Sequence, residues 1–122
     1  MLLVPKSHGK TQKNSGVRHW WHQRLTAMLM VPLVISSLYL VIKIGNSDYE
    51  QAIALLQNPL HGAILFLLII IGLWHSMLGV QVIIEDYIST ETTRIIAILF
   101  VNSALILLAT LSALSFLIIL TT

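Results

Sequence analysis

The residue with the clearest chemical demand is His75, an imidazole in the middle of a stretch from Leu60 to Ile84 that holds no other ionisable group except His61 at its start. A polar, titratable ring inside so apolar a run is costly unless a partner satisfies it. Gly72 precedes it by three residues and Gly79 follows it by four, offsets that fall on the same face of a helix. The ring is thus flanked by two places without side chains, room that a planar macrocycle needs beside its axial ligand. Haem ligation is one reading of this pattern; a histidine hydrogen-bonded across a helix interface is the other. His61, near the beginning of the same run, reads as an interfacial residue that meets water and headgroups. One helix cannot supply both axial ligands to one iron. No other histidine lies in the apolar blocks before and after, so a bis-histidine haem requires a second chain, with Met28 or Met30 the weak internal substitutes.

A second group closes the same run, Glu85-Asp86-Tyr87. Asp86 lies eleven residues beyond His75, which returns it nearly to the same helical face and about 16 Å farther along the axis. Ahead of the first apolar block stand His19, Trp20, Trp21, His22 and Arg24. If that block and the run after it cross a membrane in opposite directions, this cluster and Asp86-Tyr87 share one surface. A cation, two acids, a phenol and flat aromatic walls are what a quinone headgroup pocket requires, with the isoprenoid tail left in lipid. The plainer alternatives are an aromatic belt for Trp20 and Trp21, and for Arg24 a snorkelling anchor or an ion pair to Asp86.

The elements that must position these groups follow from composition. Of 122 residues, 57% are hydrophobic and only 10% charged, with a mean hydropathy of +0.87, far from a soluble domain with about 25% charged residues. The chain has no cysteine, which excludes disulfides, iron–sulfur clusters and thiolate zinc sites built from it alone. It also lacks a glycine-rich phosphate loop. The apolar residues form three blocks, Leu25 to Ile44, Leu60 to Ile84 and Ile95 to Leu120, each long enough to cross a hydrocarbon core of about 30 Å as a helix. The fold expected is an all-α membrane protein of three transmembrane helices, at about 20–45, 59–87 and 94–120, forming an anchor domain over 19–122 behind a basic tail over 1–18. No cleavable signal is expected, because the first apolar block is too long for one.

Lys6, Lys10, Lys13, Arg18 and Arg24 precede the first block and Arg94 lies at the third, against Lys43 alone on the opposite side. This bias places the N-terminus in the cytoplasm or mitochondrial matrix. The same rule explains the basic tail as a topology signal, and no nucleic-acid partner is inferred. Between the first two blocks, Ser47 and Glu50 stand at capping-box spacing before Ala52, Ile53, Leu55 and Leu56, so a short interfacial helix is expected with Ser47 as its cap. Pro59 suits the first position of the next helix, and Pro32 is expected to bend the first. Asn102, Ala109 and Ala113 mark a packing face on the third helix with one polar group in need of a partner.

The run His75-Ser76-Met77-Leu78-Gly79-Val80-Gln81-Val82-Ile83-Ile84-Glu85-Asp86-Tyr87 resembles the second-helix motif of the small membrane-anchor subunit of succinate dehydrogenase, the D-type cytochrome b subunit of respiratory complex II. Ser15-Gly16-Val17-Arg18-His19-Trp20-Trp21-His22-Gln23-Arg24-Leu25-Thr26-Ala27 is similar to the same family, especially its alphaproteobacterial and mitochondrial-type members. The resemblance implies a heterotetramer in which a flavoprotein oxidises succinate, an iron–sulfur subunit carries the electrons, and this chain with a C-type cytochrome b anchor holds haem b and builds the ubiquinone site. It implies that His75 is one axial haem ligand, that Tyr87 hydrogen-bonds the quinone beside Asp86, and that Arg24 lies near the haem propionates and the quinone. The family's histidine in the first segment aligns with Arg18 or with His19, so a propionate contact from His19 follows from one of two registers. The membrane implied is the bacterial cytoplasmic or mitochondrial inner membrane. Fumarate reductases share this plan, and a structural or assembly subunit of another membrane complex is the alternative from a different class.

Overall fold

A computed structural model describes the backbone of residues 8–122 and the side chains from Ser15 onward; Lys6 and the rest of the first seven residues of the basic tail lie outside the described residues. The described chain is four helices, α1 His8–Gly45, α2 Tyr49–Gln57, α3 Pro59–Tyr87 and α4 Glu91–Thr121, with no strand. Three are long and apolar enough to cross a membrane: α1 over Ser15–Gly45, α3 and α4. At 29 residues, α3 is about 43 Å long and exceeds a hydrocarbon core of about 30 Å, so its last turns project into the headgroup layer. Glu85, Asp86 and Tyr87 are those last turns.

The ends of the helices follow local chemistry. Asn58 caps α3, its Oδ1 accepting from the Leu60 N–H at 3.0 Å and the His61 N–H at 3.4 Å, and Pro59 occupies the first turn as expected. The short helix between the first two spans is present as α2, but its cap is Asp48, whose Oδ1 accepts from the Gln51 N–H at 2.9 Å. The Ser47 hydroxyl instead donates back to the Lys43 carbonyl of α1 at 2.7 Å. α1 begins at His8, within the stretch read as tail. Apolar residues mark where lipid covers a helix, and helical hydrogen bonding continues past that limit into the polar segment. The helix also runs through Pro32 without interruption, and the Ser36 hydroxyl donates to the Pro32 carbonyl at 2.8 Å.

α3 occupies the centre of the bundle. It packs against α1 on one side and α4 on the other, while α1 and α4 do not meet among the described residues. α2 lies across the far end, touching all three; there the Gln57 side-chain amide donates to the Ile119 carbonyl at 3.0 Å. His61 Nδ1 lies 3.1 Å from the Leu55 carbonyl, and since that oxygen only accepts, the ring nitrogen donates. Of the glycines from Gly16 onward, Gly62 is the most tightly enclosed: a methyl group there would meet Phe116 Cζ at 2.5 Å and the Leu56 carbonyl at 3.1 Å. Among the described residues the buried hydrophobic side chains are Leu40, Leu78 and Ile84, and α4 buries none. So thin a core suits a chain whose outward faces meet lipid and other membrane chains.

Candidate functional site

The site is assembled by the antiparallel register of α1 and α3, in which each step toward the N-terminus of α1 meets a step toward the C-terminus of α3. Deep in the span, a methyl group on Gly72 would lie 3.8 Å from Met30 Cε. One turn on, Thr26 Oγ1 stands 2.9 Å from His75 Nδ1. Next, the His22 and Trp74 rings lie 6.2 Å apart, and a methyl group on Gly79 would sit 3.4 Å from Gln23 Nε2. At the polar end, Ser15, Gly16, His19, Gln81 and Glu85 line a small recess, with the Gln81 amide donating to Glu85 Oε1 at 2.8 Å. The sequence between Ser15 and Met30 is therefore spread along one side of α3.

His75 is half-buried, its ring held by α1 through Thr26. Its other nitrogen, Nε2, has no hydrogen-bond partner among the described residues. Gly72 and Gly79 both face α1, so the space they leave admits that helix beside the imidazole. No group of three or more His, Asp or Glu converges among the described residues. A metal held at His75 would have to bring its equatorial ligands with it, as a macrocycle does.

The residues expected at the quinone pocket are placed unevenly. Tyr87 is 85% exposed, and Asp86 is exposed beside it at the end of α3. Arg24 is exposed as well, its guanidinium lying 4.4 Å over the Trp20 ring in a cation–π contact, and Trp20 stands edge-on to Trp21 at 5.2 Å. No ion pair joins Arg24 to Asp86 among the described residues. Gln23, next to Arg24, is level with Gly79, seven residues before Asp86, or about 10 Å along the axis. The chain by itself brings Arg24 and Tyr87 to one end of the bundle, without contact between them.

Three polar atoms on α1, His19 Nε2, Gln23 Oε1 and Ser37 Oγ, are buried without a hydrogen-bond partner among the described residues. His19 was singled out from the sequence, and Gln23 and Thr26 were quoted only within the resembling segment. Thr26 could have been found by noticing that an apolar helix facing His75 must offer it a polar group, and among the described residues Thr26 and Ser37 are the two buried polar side chains of α1.

A family model described as succinate dehydrogenase/fumarate reductase transmembrane subunit matches residues 6–111. The succinate dehydrogenase hydrophobic membrane anchor subunit of Rickettsia bellii is 37% identical over 91 residues, covering 75% of this chain and 73% of that one. The succinate dehydrogenase membrane anchor subunit of Reclinomonas americana is 36% identical over 91 residues, 72% of this chain and 76% of its own. The Paracoccus denitrificans anchor is 27% identical over 88 residues, 72% and 68% of the two chains. No solved structure matches. Three membrane-length helices and a match across most of the sequence together establish that the chain belongs to the succinate dehydrogenase/fumarate reductase transmembrane subunits, as a membrane anchor of the succinate dehydrogenase kind.

Proposed function

We propose that this anchor supplies one axial ligand to haem b and one wall of a ubiquinone pocket in a succinate:ubiquinone oxidoreductase. The observation that carries the reading is His75: an oriented imidazole in the middle of α3 with one ring nitrogen held by α1 and the other without a partner among the described residues. A companion C-type anchor chain provides the second axial histidine. Haem b, when bound, supplies a one-electron redox centre within the span. The buried, unpartnered His19 Nε2 offers a polar contact to a propionate at the outer edge of the same face, and Arg24 adds a positive charge at that end.

The quinone reading rests on Tyr87 and Asp86 at the mouth of the bundle. Tyr87 donates its phenolic hydrogen bond to a quinone carbonyl, and Arg24 lends positive potential to the pocket as negative charge develops on the oxygen. Reduction to quinol consumes two electrons, delivered through the iron–sulfur partner, and two protons, which Asp86 relays from water at the membrane surface. The flavoprotein and iron–sulfur subunits dock on the side of the N-terminus, which the basic residues assign to the cytoplasm or matrix. The membrane is the bacterial cytoplasmic or the mitochondrial inner membrane.

The test is a reduced-minus-oxidised optical spectrum of the purified native complex beside His75→Ala. Loss or shift of the b-type signal in the variant is the expected result. An unchanged signal would remove His75 from the iron, and a native complex without haem would leave a quinone-only or purely structural anchor.

A further inference from the structure

We propose that Thr26 is the positioning residue of His75, fixing it as the tautomer that carries its hydrogen on Nδ1 and turning Nε2 outward as the basic nitrogen. The proposal deepens the haem-ligand reading of His75 and rests on it.

Hydrogen counting around one oxygen carries the argument. Thr26 is only 8% exposed. Its Oγ1 lies 2.8 Å from the His22 carbonyl and 3.0 Å from the Gln23 carbonyl, both on its own helix, and 2.9 Å from His75 Nδ1 across the interface. A hydroxyl has one hydrogen and two lone pairs, and a carbonyl oxygen can only accept. If the hydrogen pointed at a bare Nδ1, Oγ1 would face two carbonyl oxygens at contact distance with no hydrogen between them, and their lone pairs would repel. Giving the hydrogen to the α1 carbonyls removes that repulsion and leaves a lone pair aimed at His75. Nδ1 must then be the donor.

The consequence is set by the neutral imidazole, which protonates one nitrogen and leaves a lone pair on the other. With the hydrogen on Nδ1, the lone pair is on Nε2, which no donor among the described residues meets. A ligating histidine characteristically donates its remote N–H to an oxygen, and this bond fixes the ring and raises the basicity of the ligating nitrogen. Here the oxygen belongs to a hydroxyl that itself donates to the backbone of α1. The chain from His75 Nδ1–H to Thr26 to the His22 and Gln23 carbonyls polarises each member in the same sense. α1 therefore tunes the ligand that α3 carries.

The experiment uses the complete membrane complex with Thr26→Val, which keeps the shape and removes the hydroxyl, Thr26→Ser, which keeps the hydroxyl, and His75→Ala. Haem retention during dilution and the haem midpoint potential are read for each, with succinate oxidation by a soluble acceptor reporting assembly. Thr26→Val should raise the potential, since a less basic ligand stabilises the ferric state less, and weaken haem retention by roughly 10- to 100-fold. Thr26→Ser should stay near the native values. A Thr26→Val complex with native potential and retention, beside a His75→Ala complex that loses haem, would overturn the role of Thr26 and leave His75 as ligand. If His75→Ala keeps the native spectrum, the ligand reading fails and takes this proposal with it. Should valine hinder assembly, Thr26→Ala removes the same oxygen without a possible clash and is read against the same two outcomes. Electron–nuclear double resonance on the native protein adds a check without mutation: an exchangeable proton on the remote nitrogen is expected, and its absence overturns the tautomer.

Discussion

At the scale of single residues, the site divides into a held part and an exposed part. His75 and Thr26 touch inside the span, whereas Asp86 and Tyr87 stand free at its end. The two parts should therefore separate in assays. On the quinone reading proposed above, Tyr87→Phe takes one hydrogen bond from the quinone and nothing from the fold, so quinone reduction should fall about tenfold, the equivalent of ~1.4 kcal/mol, while succinate oxidation by an artificial soluble acceptor is spared. Equal losses in both assays would argue against a quinone-specific role. Asp86→Asn, its neighbour, should slow quinone reduction and alter its pH profile; full turnover with an unchanged profile would remove Asp86 from proton delivery.

At the scale of elements, α3 is the organising helix because both other spans lean on it and α2 closes its first turn. The most tightly enclosed glycine of that arrangement is Gly62, where any side chain would press on Phe116 and on the Leu56 carbonyl. Gly62→Ala should destabilise the anchor by about 1–3 kcal/mol, the usual cost of overpacking, and lower the melting temperature of the purified complex. Gly45→Ala is the matched control. Nothing lies within 4 Å of a methyl group there, and the backbone does not adopt a positive φ, so the native melting temperature or slightly more is expected. Equal melting temperatures for the two variants would mean that the ring of Phe116 yields without cost.

For the whole molecule, the outward faces decide what the chain needs. α4 has no buried residue, and exposed leucine and isoleucine run along all three spans. Lipid covers such surface at no cost, but it offers no hydrogen bond to the unpartnered His19 Nε2, Gln23 Oε1 and Ser37 Oγ. If α1, α3 and α4 each cross the membrane, the segments before and after α3 lie on opposite sides. Single cysteines introduced at Ser89 and Asn46 should accordingly label from opposite faces of sealed vesicles, with Ser89 reached from the cytoplasmic or matrix face. Labelling in the reverse sense would invert the orientation and move the docking surface to the other end of the bundle.

The sequence by itself determined the three spans, because burial in lipid demands long uninterrupted apolar helices, and a composition of 57% hydrophobic and 10% charged residues permits little else. It also singled out His75, an ionisable ring deep in an apolar stretch, and Pro59 as the first residue of α3, a choice that depends on adjacent residues alone. The start of α1 at His8 and the capping of α2 by Asp48 were not legible in this way. A helix can outlast its apolar stretch, and Ser47 and Asp48 compete for one role that falls to Asp48, whose carboxylate meets the Gln51 N–H. What only the tertiary structure decided is the register of α1 against α3. Thr26 and His75 are 49 positions apart, and no local pattern says which turn of one helix meets which turn of the other. That choice is made by side chains fitting along the whole contact, from Met30 at Gly72 to Gln23 at Gly79, and it sets a hydroxyl against the imidazole.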